Sequence, residues 1–145
     1  MKKYQVIKTY GNETGLSCAF RQWRADSHCN LIHGYALGFE ITFEADKLDE
    51  RNWVIDFGDL GVLKRYLKDT FDHTTAVAVD DPMLDDLIEL RDKGLIDIRL
   101  MLNVGCEAFA KLVYDFCKGL EDDRVKVKSV RVFEHGANSA VFGNF

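Results

Sequence analysis

One segment of the chain places a thiol, an imidazole and a phenol within seven residues, at Cys29, His33 and Tyr35. Residues i and i+2 of a strand project to the same side, so His33 and Tyr35 would face one way, with Cys29 nearby on a loop. An imidazole near a thiol can activate it as a base or nucleophile. The pattern alone favours a simpler interpretation, in which Cys29 is a small buried residue and His33 a hydrogen-bonded loop histidine.

A carboxylate and an imidazole adjoin at Asp72 and His73, where a predicted helix ends. A carboxylate can orient an imidazole and raise its basicity, which would suit the pair to proton transfer. The structural alternative is that a histidine in the last turn of a helix is favoured by the helix dipole, whatever the protein does.

Two glutamates are candidates for ligand binding. Glu134 shares the strand parity of Val130 and Val132, so it is predicted to face an apolar side, where a bare carboxylate needs hydrogen-bond donors. The edge of a pterin or guanine ring offers two parallel N–H donors, although an internal pair with Lys or Arg would also satisfy the carboxylate. Glu107 lies in the first turn of a predicted helix, where the dipole alone favours acidic residues.

The strands that position these residues show a period of two. Residues 36–44 alternate, which predicts a half-buried antiparallel strand whose inner face carries Leu37, Phe39, Ile41 and Phe43. Residues 4–9 are a candidate partner strand, whereas the polar stretch 11–32 is predicted to be irregular. The last strand, from Val125 to about Phe133, changes phase near Lys128, which predicts a β-bulge.

Helical spacing predicts two main helices. Asp56 can cap the first, whose inner side carries Leu60, Leu63, Leu67 and Phe71. The second covers roughly residues 104–118, with Asn103 as a candidate N-cap and Gly119 just past its end. A short amphipathic segment at 83–91 and a strand at 96–102 lie between them. This order predicts an α+β fold with an antiparallel sheet and helices on one face.

Composition narrows the class of protein. A length of 145 residues, with 47% hydrophobic and 30% charged residues, predicts a single domain over 1–145. The net charge of -5 argues against binding of nucleic acid. Neither a leader segment nor a membrane-spanning run is recognisable, which predicts a cytoplasmic protein that does not bind membranes. Four cysteines without a CxxC pair predict reduced thiols.

Six segments, in order along nearly the whole chain, resemble the 6-pyruvoyl-tetrahydropterin synthase and 6-carboxy-tetrahydropterin synthase family. Leu16-Ser-Cys-Ala19 resembles the start of the family's F-S-A-A-H, and Cys29-x-x-x-His33-Gly resembles C-x-x-L-H-G-H. The other four are Trp53–Leu60 (W-V-I-D-F-G-D-L), Asp72-His73 (L-D-H), Asn103–Glu107 (N-P-T-A-E) and Val130–Glu134 (V-R-V-x-E-T).

The resemblance implies a fold, a substrate and roles for five residues. The fold would be a tunnelling fold: a four-stranded antiparallel sheet with two helices on one face, assembled into an oligomeric barrel, typically a hexamer, with sites between subunits. The substrate would be 7,8-dihydroneopterin triphosphate. Cys29 would be the proton-abstracting thiolate, with Asp72 and His73 completing a proton-transfer triad. Glu134 would anchor the pterin, and Glu107 would contribute at the same end.

The family's zinc site is altered in this sequence. Three histidines bind zinc in the family, and their positions here are Phe20, His33 and Tyr35. Catalytic zinc ordinarily has three protein ligands, so the sequence predicts an empty or weakly occupied zinc position unless His28 or a cysteine substitutes.

The resemblance favours a carbon–oxygen lyase of biopterin-like or queuosine-type biosynthesis, and the sequence does not choose between a pyruvoyl and a carboxy product. One alternative is a metal-free pterin-binding paralogue without synthase activity. Another is a zinc-independent aldolase or epimerase that acts on a neopterin side chain, using Cys29 and His73 as acid and base.

Overall fold

The computed structural model describes residues 2–145, which contain seven strands and three α-helices. The strands are β1 (Tyr4–Tyr10), β2 (Leu16–Phe20), β3 (His33–Ala45), β4 (Thr74–Ala78), β5 (Ile98–Met101), β6 (Lys126–His135) and β7 (Asn138–Gly143). The helices are α1 (Gly61–Phe71), α2 (Leu84–Asp92) and α3 (Cys106–Lys118). No helix within these residues is long and apolar enough to cross a membrane.

The long strand β3 organises the sheet. Its first half pairs with β2 and its second half with β1, both antiparallel along the same edge, while β6 pairs antiparallel along the other edge and β7 follows β6. Its inner side chains are fully or almost fully buried, which confirms the predicted inner face: Leu37, Phe39, Ile41 and Phe43. The opposite face is more covered than predicted, because Thr42 is buried and Glu40 and Glu44 are half-buried. The predicted bulge is confirmed too, because Ser129 pairs with Thr42 and Val127 with Phe43, leaving Lys128 as the extra residue.

The predicted four-stranded antiparallel sheet is wrong in both strand number and strand direction. The sheet has seven strands, and two of its pairings, β2 with β4 and β4 with β5, are parallel. Every residue of β4 is buried, so this strand has no alternation by which the sequence could reveal it. Strand β2 lies inside the stretch 11–32 that was predicted to be irregular.

Two helices cover one face of the sheet, and α2 is a third helix that the predicted fold lacked. Aromatic rings join α1, α3 and the sheet: Phe71 lies 4.9 Å from Phe39 and 5.2 Å from Phe109, between ring centroids. Helix α3 begins at Cys106 rather than at the predicted residue 104. Gly105 precedes it with φ of 112°, a conformation that glycine adopts readily, so Asn103 is not the N-cap.

Phe109 is fully buried where α3 meets the sheet, in contact with the rings of Phe20 and Phe71. Phe109→Ala is therefore expected to lower the free energy of unfolding by about 3–5 kcal/mol, through lost contacts and the cavity left behind. Urea unfolding followed by circular dichroism measures the change. Phe145, 81% exposed, supplies the control, because Phe145→Ala should cost less than about 0.5 kcal/mol. Equal losses in the two variants would contradict this packing.

Candidate active site

The positions of the three family zinc ligands converge on one cluster of rings, Phe20, His33 and Tyr35. Phe20 pairs directly with His33 across β2 and β3, and Tyr35 lies two residues further along the same face. Ring centroids are 5.4 Å apart for Phe20 and His33, 6.0 Å for Phe20 and Tyr35, and 5.4 Å for His33 and Tyr35. The three positions that the resemblance assigns to zinc therefore adjoin in this fold.

His33 is held by its own loop. Its Nδ1 lies 2.7 Å from the carbonyl oxygen of Leu31, and a carbonyl only accepts, so Nδ1 donates and the lone pair of the neutral form of the ring lies on Nε2. Among residues 2–145, no group of three or more His, Cys, Asp or Glu side chains is placed to hold a metal ion. A benzene ring offers no lone pair, so Phe20, His33 and Tyr35 do not supply the three protein ligands that catalytic zinc ordinarily has, and an empty or weakly occupied zinc position stays a prediction.

Glu134 is half-buried on β6, close to the ring cluster and to the start of α3. Burial raises the pKa of Tyr35, and the Glu134 carboxylate raises it further. Burial also raises the pKa of the Cys106 thiol, to about 12, together with the charges of Glu134 and of Glu107 in the first turn of α3. The two glutamates that the resemblance assigns to pterin binding therefore both lie near one thiol, and their roles stay predictions.

Asp72 and His73 form a hydrogen-bonded dyad. His73 Nδ1 lies 2.8 Å from Asp72 Oδ1, and this bond holds the pKa of the Asp72 carboxyl below its usual range. The His73 side chain is 85% exposed. His73 lies beyond the end of α1, in a left-handed conformation with φ of 58°, and its backbone N–H donates to the Ser17 carbonyl oxygen at 2.7 Å. His73 thus directly follows the C-cap residue Asp72, and the helix-dipole interpretation stays an alternative to proton transfer.

Cys29 lies on a short 3-10 turn, His28–Asn30, and is exposed, whereas the other three cysteines are buried. The interpretation of Cys29 as a small buried residue is therefore wrong. The Cys29 carbonyl oxygen accepts from the Gln22 N–H at 3.0 Å. The His73 N–H donates to the Ser17 carbonyl oxygen, and Gln22 lies five residues after Ser17 in the chain. Five residues span at most about 16 Å at about 3.3 Å each, and within the described residues no hydrogen bond joins Cys29 to Asp72 or His73.

Two features of the site escaped sequence reasoning. Cys106 lies near Glu107 and Glu134, and its position directly before a first-turn glutamate is the local signal for it. A buried pair between Arg21 and Asp81 holds the loop that carries Cys29. The two members are sixty residues apart, so no spacing in the sequence points to the pair.

Residues 10–144 match the family model described as 6-pyruvoyl tetrahydropterin synthase, and the chain belongs to this family. It is 27% identical to the 6-carboxy-5,6,7,8-tetrahydropterin synthase of Aquifex aeolicus, over 97% of this chain and 98% of the relative. The enzyme of the same description from Rickettsia felis is 36% identical over 62 residues, 42% of this chain and 45% of the relative.

Solved structures show the same fold. An uncharacterized protein of Wolinella succinogenes superimposes with a TM-score of 0.81 at 21% identity, over 100% of both chains. The 6-pyruvoyl tetrahydropterin synthase of Caenorhabditis elegans superimposes with a TM-score of 0.62 at 14% identity, over 99% of this chain and 96% of that one. The Plasmodium vivax enzyme of that name reaches 0.69 at 12% identity, over 99% of each chain.

Proposed function

We propose that the protein is a carbon–oxygen lyase of the tetrahydropterin synthase type, acting on 7,8-dihydroneopterin triphosphate or a related pterin. The Asp72–His73 dyad carries this proposal. The two side chains are hydrogen-bonded at 2.8 Å, yet the imidazole is 85% exposed and makes no other hydrogen bond within the described residues. An oriented and accessible imidazole is suited to proton transfer with a substrate. Membership of the family supports the pterin as that substrate.

In the proposed reaction, a base removes a proton from carbon, a carbon–carbon double bond forms, and the triphosphate leaves with the electrons of the broken carbon–oxygen bond. The Cys29 thiolate is the proposed base, because its thiol is exposed and the thiolate is the reactive form. His73 donates through Nδ1 to Asp72, which leaves Nε2 free to exchange a proton with a substrate hydroxyl.

The proposed site is shared between subunits. No hydrogen bond joins Cys29 to the dyad within the described residues of one chain, and the family resemblance implies sites between subunits, so in this proposal the substrate meets Cys29 of one copy and the dyad of another. A heterologous interface of this kind closes into a ring, in which each chain gives Cys29 to one site and His73 to another. This arrangement fits a homo-oligomer, which we propose to be a hexamer in keeping with the family resemblance.

We further propose that this site works without zinc at the position of the ring cluster. Zinc in the family would polarise the hydroxyl groups of the substrate side chain. Here the lone pair of His33 Nε2 and the hydroxyl of Tyr35 remain, and these groups can hydrogen-bond a substrate hydroxyl but do not act as a Lewis acid. Turnover is accordingly expected to be slower than that of a zinc-containing relative.

Complementation between two inactive variants tests the shared site. Cys29→Ala and His73→Ala are each expected to lose at least about 100-fold in turnover of dihydroneopterin triphosphate, measured by chromatography, because each removes a proton-transfer group. Refolding an equal mixture should restore about a quarter of wild-type activity, since random assembly places both intact groups at one site in four.

His28→Ala, which removes an exposed histidine beside Cys29, is the matched control and should keep wild-type turnover. If the mixture recovers no activity while both variants assemble, the shared site is wrong. If the wild-type protein binds the pterin but does not turn it over, the protein is the metal-free pterin-binding alternative.

A further inference from the structure

The loop between β2 and β3 carries Cys29 and has little regular structure of its own. A buried ion pair at its base links it to the turn after β4. Arg21 Nε donates to Asp81 Oδ2 at 2.9 Å, and a terminal nitrogen of Arg21 donates to Asp81 Oδ1 at 2.8 Å. The Asp81 side chain is 2% exposed and that of Arg21 is 15% exposed. A two-point guanidinium–carboxylate contact fixes orientation as well as distance.

The other terminal nitrogen of Arg21 extends this contact to the residue next to Cys29. It donates to the backbone and the side-chain oxygens of Asn30, both at 3.1 Å. The Asn30 amide in turn donates to the carbonyl oxygens of Trp23 at 3.0 Å and Ala25 at 3.3 Å. Asn30 is therefore fixed through both its backbone and its side chain.

Asp81 is itself held in place from the other side. Its backbone N–H donates to the Ala78 carbonyl oxygen at 3.0 Å, and its Oδ1 accepts from the Met83 N–H at 2.9 Å. Hydrogen bonds from Arg21 hold the pKa of the Asp81 carboxyl below its usual range. The carboxylate consequently stays ionised at neutral pH, and the contact is lost only as the pH falls through that lowered pKa.

The neighbouring Asp80 makes a comparable but exposed contact with the same loop. It accepts from Arg24 at 3.0 Å, with side-chain exposures of 66% for Arg24 and 52% for Asp80, and from the indole of Trp23 at 3.3 Å. Exposed ion pairs contribute little because water and salt screen them. The chain thus supplies adjacent buried and exposed aspartates that bind one loop.

We propose that Arg21 and Asp81, named here the Arg21–Asp81 clamp, are positioning residues that hold the Cys29 turn where its thiol meets the substrate. This inference rests on the proposed function for the role of the thiol. The clamp touches neither the thiol nor the reacting atoms, and it acts through Asn30. The same clamp joins the Cys29 loop to β4, whose first residue directly follows the Asp72–His73 dyad.

Amide exchange and steady-state kinetics of Asp81→Asn, with Asp80→Asn as control, test the clamp. The loop amides of Gln22 and Asn30, which donate to Cys29 and Ser27, are expected to exchange at least about tenfold faster in Asp81→Asn, while the amides of α3 stay unchanged. The kcat is expected to fall about 10- to 100-fold through misplacement of the thiol, with pterin affinity within about twofold. Asp80→Asn should change neither.

Arg21→Lys provides a second variant, because lysine keeps the charge but lacks the planar fork that reaches both Asp81 oxygens and Asn30. Arg21→Lys should also show faster exchange of the loop amides and a lower kcat. If Asp81→Asn fails to fold, Arg21→Lys alone tests whether the clamp positions the Cys29 turn. Three results would overturn the positioning role. The first is unchanged exchange of the loop amides in a folded variant, and the second is exchange that rises equally in α3. The third is an unchanged kcat in a variant whose loop amides exchange faster.

The clamp and the proposed function fail in different ways. An inactive wild-type protein overturns the proposed function, and the exchange rates then decide alone whether the clamp orders the loop. An active wild-type protein whose clamp variants keep full kcat overturns the positioning role and leaves the proposed function intact.

Discussion

Phe20→His combined with Tyr35→His is expected to give a protein that binds one zinc ion per chain. The three ring centroids of Phe20, His33 and Tyr35 are 5.4 to 6.0 Å apart. A tetrahedral zinc ion with Zn–N distances of about 2.0–2.1 Å would hold the centroids of three imidazoles about 5 Å apart. The backbone therefore needs little adjustment, and His33 already donates through Nδ1 to a carbonyl group, as zinc-binding histidines commonly do.

Elemental analysis after dialysis against a weak chelator measures this gain, with the wild-type protein and the single variant Phe20→His as controls. Both controls should retain little zinc, because they supply one and two imidazoles at these positions. Zinc binding by the double variant should weaken below about pH 6.5, where protonation of free imidazoles competes with the metal. Stoichiometric zinc in the wild-type protein would contradict the assignment of the cluster as metal-free.

The double substitution also weakens core packing at position 20. Measuring stability with and without zinc therefore distinguishes an effect on folding from an effect of metal binding. Phe20 is 5% exposed and its ring meets that of Phe109 edge-to-face at 5.2 Å. A histidine at position 20 loses part of this contact and places a polar ring in the core, so the metal-free double variant should be less stable than the wild-type protein. Added zinc should then raise its thermal midpoint, whereas the wild-type midpoint should stay unchanged.

Local periodicity was enough to predict the elements of the fold that have one buried face and one more exposed face. β3 alternates along its length, and α1 and α3 repeat at helical spacing, so each revealed its inner face in the sequence. Strand β4 is buried on both sides and gives no such signal. Its parallel pairings with β2 and β5 depend on segments far apart in the chain, which no local pattern specifies.

The candidate site also contains some features that the sequence predicts and others that it does not. Asp72 and His73 are neighbours in the chain and His33 and Tyr35 are strand partners at i and i+2, so these pairs were predictable from the sequence. The exposure of Cys29 was not, because it follows from the path of the loop between β2 and β3, which no local pattern specifies. The Arg21–Asp81 clamp was also hidden, since tertiary packing alone brings its members together.

Removal of the Glu134 carboxylate is expected to weaken pterin binding at least tenfold. Hydrogen bonds to a charged acceptor are worth about 1.5–3 kcal/mol each, and 1.4 kcal/mol is a factor of ten in affinity. Calorimetric titration of Glu134→Gln with a dihydropterin measures the loss. Cys29→Ala is the control, because it alters only the group proposed to meet the reacting side chain, and its affinity should stay within about twofold of wild type.

A second measurement shows whether the carboxylate of Glu134 occupies the place that this prediction requires. Burial and the charges of Glu134 and Glu107 raise the pKa of the Cys106 thiol to about 12. A negative charge disfavours the thiolate, so Glu134→Gln should lower the Cys106 pKa, which faster alkylation of Cys106 than in the wild-type protein at one alkaline pH, located by peptide mass spectrometry, reports.

The two measurements together separate placement from function. A lowered Cys106 pKa with unchanged pterin affinity would place the carboxylate beside Cys106 but show that it does not bind the pterin. An unchanged Cys106 pKa would show that Glu134 points away from the start of α3. A lowered pKa together with weakened binding is the expected result, because the carboxylate beside Cys106 is then the one that accepts the N–H groups of the ring.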